Sequence, residues 1–211
     1  MATICSSTTR CCLLACLVFF LSNATRAEDK LKLPKLPNFD QSLSPDEIIS
    51  VSDLEGKVHH SGDWQDHTVI LVFIGLECPV ANSYAPEVMS QKNASKDDKI
   101  LWLGVHSEPG VTKEAATKHA EEYKLTMPIL LDGEQKLAAA VGAQKLGQVV
   151  VLQNLQVVYR GRIDDRFATN GKRRDEPSTH ELRDVLTALA DKRPVPVAET
   201  AAYGCPIQFK K

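Results

Sequence analysis

The sequence contains no Cys-x-x-Cys pair, so no local dithiol can be built from neighbouring cysteines. It carries no excess of positive charge: the net charge is −2, which leaves no basic surface for a nucleic-acid partner. Its six histidines show no helical ligand spacing and no short Cys-His cluster, so neither a metal nor a cofactor is expected. There are no internal repeats and no sign of a second folded domain in 211 residues. With 43% hydrophobic and 25% charged residues, the composition is that of an ordinary globular chain.

The only feature of a different kind is the N-terminus. Residues 1–27 place Arg10 before the apolar run CCLLACLVFFL and end in small and polar residues. That is the pattern of a secretory signal, cleaved near Ala27, with Ala24 as the alternative. Leu13-Leu14-Ala15-Cys16 resembles a lipoprotein box, but the apolar run continues past the cysteine, which argues against a lipid anchor. Cleavage removes Cys5, Cys11, Cys12 and Cys16, leaving Cys78 and Cys205. It also removes Arg10 and Arg26 and no acid, moving the net charge from −2 to −4. The expected location is outside the cytoplasm, periplasmic or extracellular, where two remaining cysteines invite pairing.

Four segments follow from this reading: signal 1–27, extended linker 28–47, a folded domain 48–192, and a Pro-containing tail 193–211 lying on that domain. IISVS and KVHH, joined by a turn at Asp53 to Gly56, predict a hairpin. Thr68 to Leu76, TVILVFIGL, is a continuous β-branched run, the pattern of a central strand covered on both faces. Residues 79–95 predict a helix, Lys99 to His106 a second buried strand, and Val111 to Tyr123 a surface helix. MPILLD is a short strand, Glu134 to Val141 a short helix, and QVVVLQ with QVVYRG a hairpin turning at Asn154-Leu155. Ser178 to Ala190 is an amphipathic helix that Ser178 or Thr179 can cap. Alternating strands and helices ending in a hairpin predict an α/β fold with a mixed sheet.

Cys78 stands where the central strand ends and a helix begins. Strand carboxyl ends are where α/β sheets form sites. A helix start offers free N–H groups and partial positive charge, which favour a thiolate. Pro79 suits the first helical position. Glu77 opposes a second negative charge unless it points to solvent. A lone cysteine after an apolar run can also be a small buried packing residue.

Cys78, Pro79, Val80, Ala81, Asn82, Tyr84, Pro86 and Glu87, with YRGRIDD at 159–165 and YGCPI at 203–207, resemble the thioredoxin-like redoxins of the alkyl hydroperoxide reductase and thiol-specific antioxidant type, in an exported branch. The resemblance covers roughly residues 45–207. It implies a thioredoxin-like fold, a central mixed sheet flanked by helices with an N-terminal hairpin and an extended C-terminal tail. It also implies thiol chemistry at Cys78 on a peroxide or disulfide, with Cys205 or an external thiol as reductant. Pro86 stands where such folds kink their first helix.

The sequence makes three departures from the pattern. Ala81 replaces the second cysteine, so a mixed disulfide at Cys78 cannot be resolved locally. Gly75 and Leu71 stand where peroxidatic redoxins carry a hydroxyl residue and a proline. Leu146-Gly147 replaces the Thr-Pro of the loop on which a redoxin lays its substrate backbone. Cys205 is therefore read in three ways: a resolving cysteine, one half of a lasting bridge worth about 2–4 kcal/mol, or a distant free thiol. The competing function is a redoxin-derived binding or structural domain without turnover. A copper site at Cys78 and His106 is a further reading, set against solvated or packed histidines. Arg160, Arg162, Asp164, Asp165 and Arg166 read as a salt-bridged surface loop.

Overall fold

The computed structural model describes residues 42–44, 46–169 and 172–210. The expected signal at 1–27 lies outside these residues, as does most of the expected linker.

The chain runs β1 (Ser50–Ser52), β2 (Val58–His60), a 3-10 helix (Ser61–Trp64), β3 (Thr68–Ile74), α1 (Pro79–Ser83), α2 (Ala85–Ala94), β4 (Ile100–His106) and α3 (Lys113–Glu122). It continues with β5 (Ile129–Leu131), α4 (Lys136–Ala140), β6 (Val149–Gln153), β7 (Gln156–Gly161), β8 (Phe167–Thr169), β9 (Lys172–Arg173) and α5 (Glu181–Ala190). The main sheet has the order β5-β4-β3-β6-β7. β3 pairs parallel with β4 and antiparallel with β6, so the sheet is mixed.

The continuous apolar run of β3 has a simple cause. Alternate side chains point to opposite faces of a strand, and both faces are covered. Val69, Leu71 and Phe73 pack with Leu137, Ala138 and Val141 around α4. Ile70, Val72 and Ile74 pack with Val88 of α2 and Leu182 and Val185 of α5. Each fully buried aliphatic side chain contributes about 1.5–3 kcal/mol.

Both sheet edges are closed. The β1-β2 hairpin bridges β5 through Asp53 and Leu130. On the other side, Ser42 bridges Gln156 and Glu199 bridges Arg160 of β7. Unpaired edge groups are thereby blunted.

One local detail follows the kink expected at Pro86, and two depart from expectation. The first helix is two helices: the backbone breaks at Tyr84, and Pro86 opens α2 in its first turn, because a proline inside a helix removes a donor and clashes with the preceding turn. α5 begins at Glu181, three residues after Ser178, with no side-chain cap. The Ser178 and Thr179 amides are bound instead by the carboxylate of Asp165. Finally, the 3-10 helix and the β8-β9 hairpin carry no periodicity long enough to read from sequence.

Candidate functional site

Cys78 caps the N-terminus of α1 in an extended conformation, φ −83° and ψ 105°. Its sulfur accepts the Ala81 N–H at 3.4 Å. It also accepts the backbone N–H of Cys205 at 3.4 Å. Two amides from distant parts of the chain therefore converge on one sulfur. Cys78 is 2% exposed, while Cys205 is half-buried and both are free thiols. Glu77 is exposed to solvent, where water and salt screen its charge. The thiol of Cys205 is pushed up to about 11 by its hydrogen bond with the Cys78 sulfur, then by burial and by the negative charge of Glu108.

The two cysteines meet because the tail pairs with the loop before β6. Leu146 N–H donates to Cys205 O at 2.8 Å and Ile207 N–H donates to Gln144 O at 2.9 Å. Lys145 and Pro206 form an antiparallel bridge. Gly147, φ +84°, lets this loop turn against Ala81 and the Tyr203 carbonyl; a Cβ there would stand 3.4 Å from each. The Leu146-Gly147 departure is thus where the tail lies. The reading of Cys205 as distant from Cys78 does not match this geometry.

The remaining residues of the cysteine motif hold α1 in place. Asn82 Nδ2 donates to Leu76 O at 3.2 Å, and Asn82 Oδ1 accepts from His119 Nε2 at 2.9 Å. Tyr84 Oη donates to Asp164 O at 3.2 Å. Its ring packs edge-on to Phe167 at 5.4 Å, with the Arg166 guanidinium 5.8 Å from its centre. Glu87 accepts from Arg183 at 3.0 Å. The motif and YRGRIDD are therefore one packed unit.

That second motif is not a surface loop. Asp164 and Asp165 are buried. Asp165 accepts from Ser178 N–H, Thr179 N–H, the Ser178 hydroxyl and Arg174. Burial raises its pKa, but these hydrogen bonds and the Arg174 charge outweigh burial and hold it down at about 2. Arg162 pairs with Glu181 at the start of α5. Arg160 pairs with Glu199 of the tail at 2.8 Å. The charges fasten α5 and the tail, which is why the motif carries so many.

A polar cluster beside the site carries no sequence signature. Glu108, just past β4, accepts the Leu76 N–H at 2.9 Å and meets His106 Nδ1 at 3.3 Å. The His106 and His119 rings meet edge-on at 5.1 Å. Burial pulls His119 down to about 4, helped by the neighbouring His106. Burial raises Glu108, but the His106 bond and the Leu76 amide outweigh it and hold the carboxyl below its usual range. Gly75 makes room for this cluster: a Cβ there would stand 2.5 Å from Leu146 Cδ1 and 3.2 Å from Glu108 Oε2. The space a Gly75 side chain would enter is thus taken by Leu146 and by the Glu108 carboxylate from the loop after β4. Among the described residues, no group of three or more His, Cys, Asp or Glu side chains is arranged to hold a metal. His106, named with Cys78 in the copper reading, meets Glu108 through Nδ1, while its buried Nε2 has no hydrogen-bond partner.

Solved structures share the architecture. An uncharacterized conserved protein from Geobacillus kaustophilus superposes with a TM-score of 0.70 at 24% identity, over 84% of this chain and 95% of that one. A hypothetical protein from Sinorhizobium meliloti 1021 superposes with a TM-score of 0.66 at 17% identity, over 83% and 96%. The thioredoxin domain of a thiol-disulfide oxidoreductase from Bacteroides vulgatus gives 0.48 at 20% identity, over 56% and 86%. Among curated proteins, none matches. The α/β thioredoxin-like fold is the one observed. The AhpC/TSA family model matches residues 35–164, most of the described domain from its N-terminal hairpin to the Asp164 carbonyl that holds Tyr84, and the chain belongs to that family.

Proposed function

We propose that this protein is an exported thioredoxin-fold redox protein in which Cys78 reduces a peroxide or a disulfide and Cys205 is its resolving thiol. The observation that carries this reading is the Cys205 N–H bound to the Cys78 sulfur at 3.4 Å. It supports a pair of sulfurs able to join with little movement. In the peroxide case, the Cys78 thiolate attacks the distal oxygen. The O–O bond breaks, the alkoxide or hydroxide leaves and takes a proton, and Cys78 becomes a sulfenic acid. The Cys205 sulfur then attacks that sulfur and gives its thiol proton to the departing hydroxide; water leaves and a disulfide forms. An external dithiol then reduces the disulfide by exchange, becoming oxidised itself. With a disulfide substrate, Cys78 displaces one thiolate and Cys205 the other.

The expected absence of a Cys-x-x-Cys pair is compatible with this cycle because the second sulfur comes from the tail. The rival reading, a domain without turnover, draws support from the 2% exposure of Cys78. Thiol counting and mass analysis of the purified protein separate the two. The redox reading expects Cys78 to be alkylated after mild reduction, and one equivalent of peroxide to remove both thiols by an internal bridge. A Cys78 inert to alkylation and oxidation in the folded chain sinks it. Export is tested by the N-terminal residue of the secreted protein, expected to follow Ala27.

A further inference from the structure

A sheet edge or extended loop beside a reactive cysteine offers backbone donors and acceptors to an extended polypeptide, which binds as an added strand. Here that edge is already taken. Leu146 N–H and Gln144 O, two groups such a polypeptide would use, are bound to Cys205 O and Ile207 N–H of the chain's own tail. The fit is close: a Cβ at Gly204 would collide with Leu146 O. The tail is also held on both sides of this stretch. Upstream, Thr200 Oγ1 meets Tyr159 Oη at 2.7 Å, and Arg160 binds the Ala198 carbonyl. Downstream, Gln135 donates to Gln208 O at 2.8 Å and accepts Lys210 N–H at 2.8 Å. Between these anchors Ile207 is 5% exposed within the apolar core.

We propose that the tail stretch Tyr203–Ile207 is a built-in strand that closes the backbone edge beside Cys78, so that the oxidant of this site is a small hydroperoxide or low-molecular-weight disulfide and not a cysteine-bearing polypeptide. This rests on the redox reading above and narrows its substrate class. A polypeptide would have to displace five residues anchored at both ends before its own sulfur could reach Cys78. A small oxidant needs only a path to one sulfur atom. Gly204 is then a specificity-determining residue: its missing side chain lets the tail seat.

The test compares the full chain carrying Cys205→Ser, in which capture at Cys78 stalls, with the same chain also carrying Gly204→Val or Ile207→Asp. These two changes undock the tail through different contacts, and circular dichroism checks the fold of each. The first probe is a peptide of the tail sequence AAYGCPIQ whose cysteine is a mixed disulfide with thionitrobenzoate. Cys78 thiolate attacks the peptide sulfur and coloured thionitrobenzoate leaves. The second and third probes are hydrogen peroxide and hydroxyethyl disulfide. Undocking is expected to speed peptide capture by about ten-fold or more, because the edge becomes free. Oxidation by the small probes is expected to change by a smaller factor than peptide capture, since loss of the Cys205 amide and wider access to the Cys78 sulfur act on all three probes alike. Equal peptide capture with the tail docked and undocked overturns the proposal. Should Cys78 react with no probe, the redox reading fails, and closure of the edge is decided separately by fluorescence anisotropy of the serine peptide AAYGSPIQ. Binding to the undocked chains alone supports a closed edge, and equal binding to all chains refutes it.

Discussion

The backbone amide of Cys205 donates to the sulfur of Cys78 at 3.4 Å, across 127 positions of sequence. The donor is main chain, so it does not depend on the Cys205 side chain. Cys205→Ser should therefore keep the tail docked while removing the second sulfur. Oxidation with peroxide should then stop at Cys78, seen by mass spectrometry as an added oxygen that dimedone traps. Parent protein should show loss of two hydrogens instead. An oxidised Cys205→Ser chain indistinguishable from the parent would show that the second sulfur comes from elsewhere.

Gly75 stands where a peroxidatic redoxin has a hydroxyl, so Gly75→Thr is the intuitive way to raise peroxide reactivity. The structure predicts the opposite. The new side chain meets Leu146 Cδ1 and the Glu108 carboxylate. Overpacking of this kind costs about 1–3 kcal/mol. Chemical denaturation should show that loss, and peroxide consumption should not rise. A gain in rate without a loss of stability would contradict the crowding read here.

Tyr84→Phe removes the hydroxyl that donates to Asp164 O. Tyr84 is 2% exposed, so the carbonyl it leaves is poorly placed to find water. The expected loss is about 1–2 kcal/mol, measured by urea unfolding. Because the bond joins the cysteine motif to the Asp164 loop, hydrogen exchange of the α1 amides should quicken as well. An unchanged exchange pattern would mean that α1 is held by its other contacts alone.

Asp165 carries the start of α5. Its pKa is held down at about 2 because its hydrogen bonds and Arg174 outweigh burial. A carboxyl depressed in the folded state adds stability above its unfolded value of about 3.9, and loses it as the pH falls through the folded value. The parent should therefore weaken between about pH 4 and pH 2. Asp165→Ala should cost about 1–3 kcal/mol near neutrality and flatten that acid limb. Equal slopes in the two proteins would remove Asp165 from the account.

His119 acts in the same direction, but over a higher pH range. Burial and His106 hold its folded pKa near 4, below the unfolded value of about 6.5. The unfolded chain then binds more protons between these values, so stability should fall as the pH drops from about 6.5 to about 4. Glu108 faces the same cluster, and its depressed carboxyl adds a further loss below its ordinary range. His119→Gln, which can keep a donor toward Asn82, should reduce the slope between pH 6.5 and 4.5. A slope identical to the parent's would show that His119 is not the titrating group.

Much of this fold was legible because its signals are local. A seven-residue strand buried on both faces must be apolar at every position, and TVILVFI is. Pro86 ends one helix and starts another by its own chemistry. The hairpin at Asn154-Leu155 was readable despite weak turn residues. Both adopt positive φ, 51° and 63°, and Leu155 is tolerated there because its side chain is 4% exposed in the core. The start of α5 was misread because Ser178 and Thr179 are good local caps. A buried carboxylate 13 and 14 positions upstream took their amides instead.

The sequence by itself determined the alternation of elements and the place of Cys78 at a strand end and helix start, because periodicity, proline and glycine act through the nearest few residues. Only the tertiary structure decided what that cysteine meets. The Cys205 amide, the Glu108 carboxylate beside Gly75 and the tail lying on the Leu146-Gly147 loop all depend on backbone groups from separate segments pairing once the core has packed. No local pattern encodes such pairing, since every residue but proline carries the same donor and acceptor.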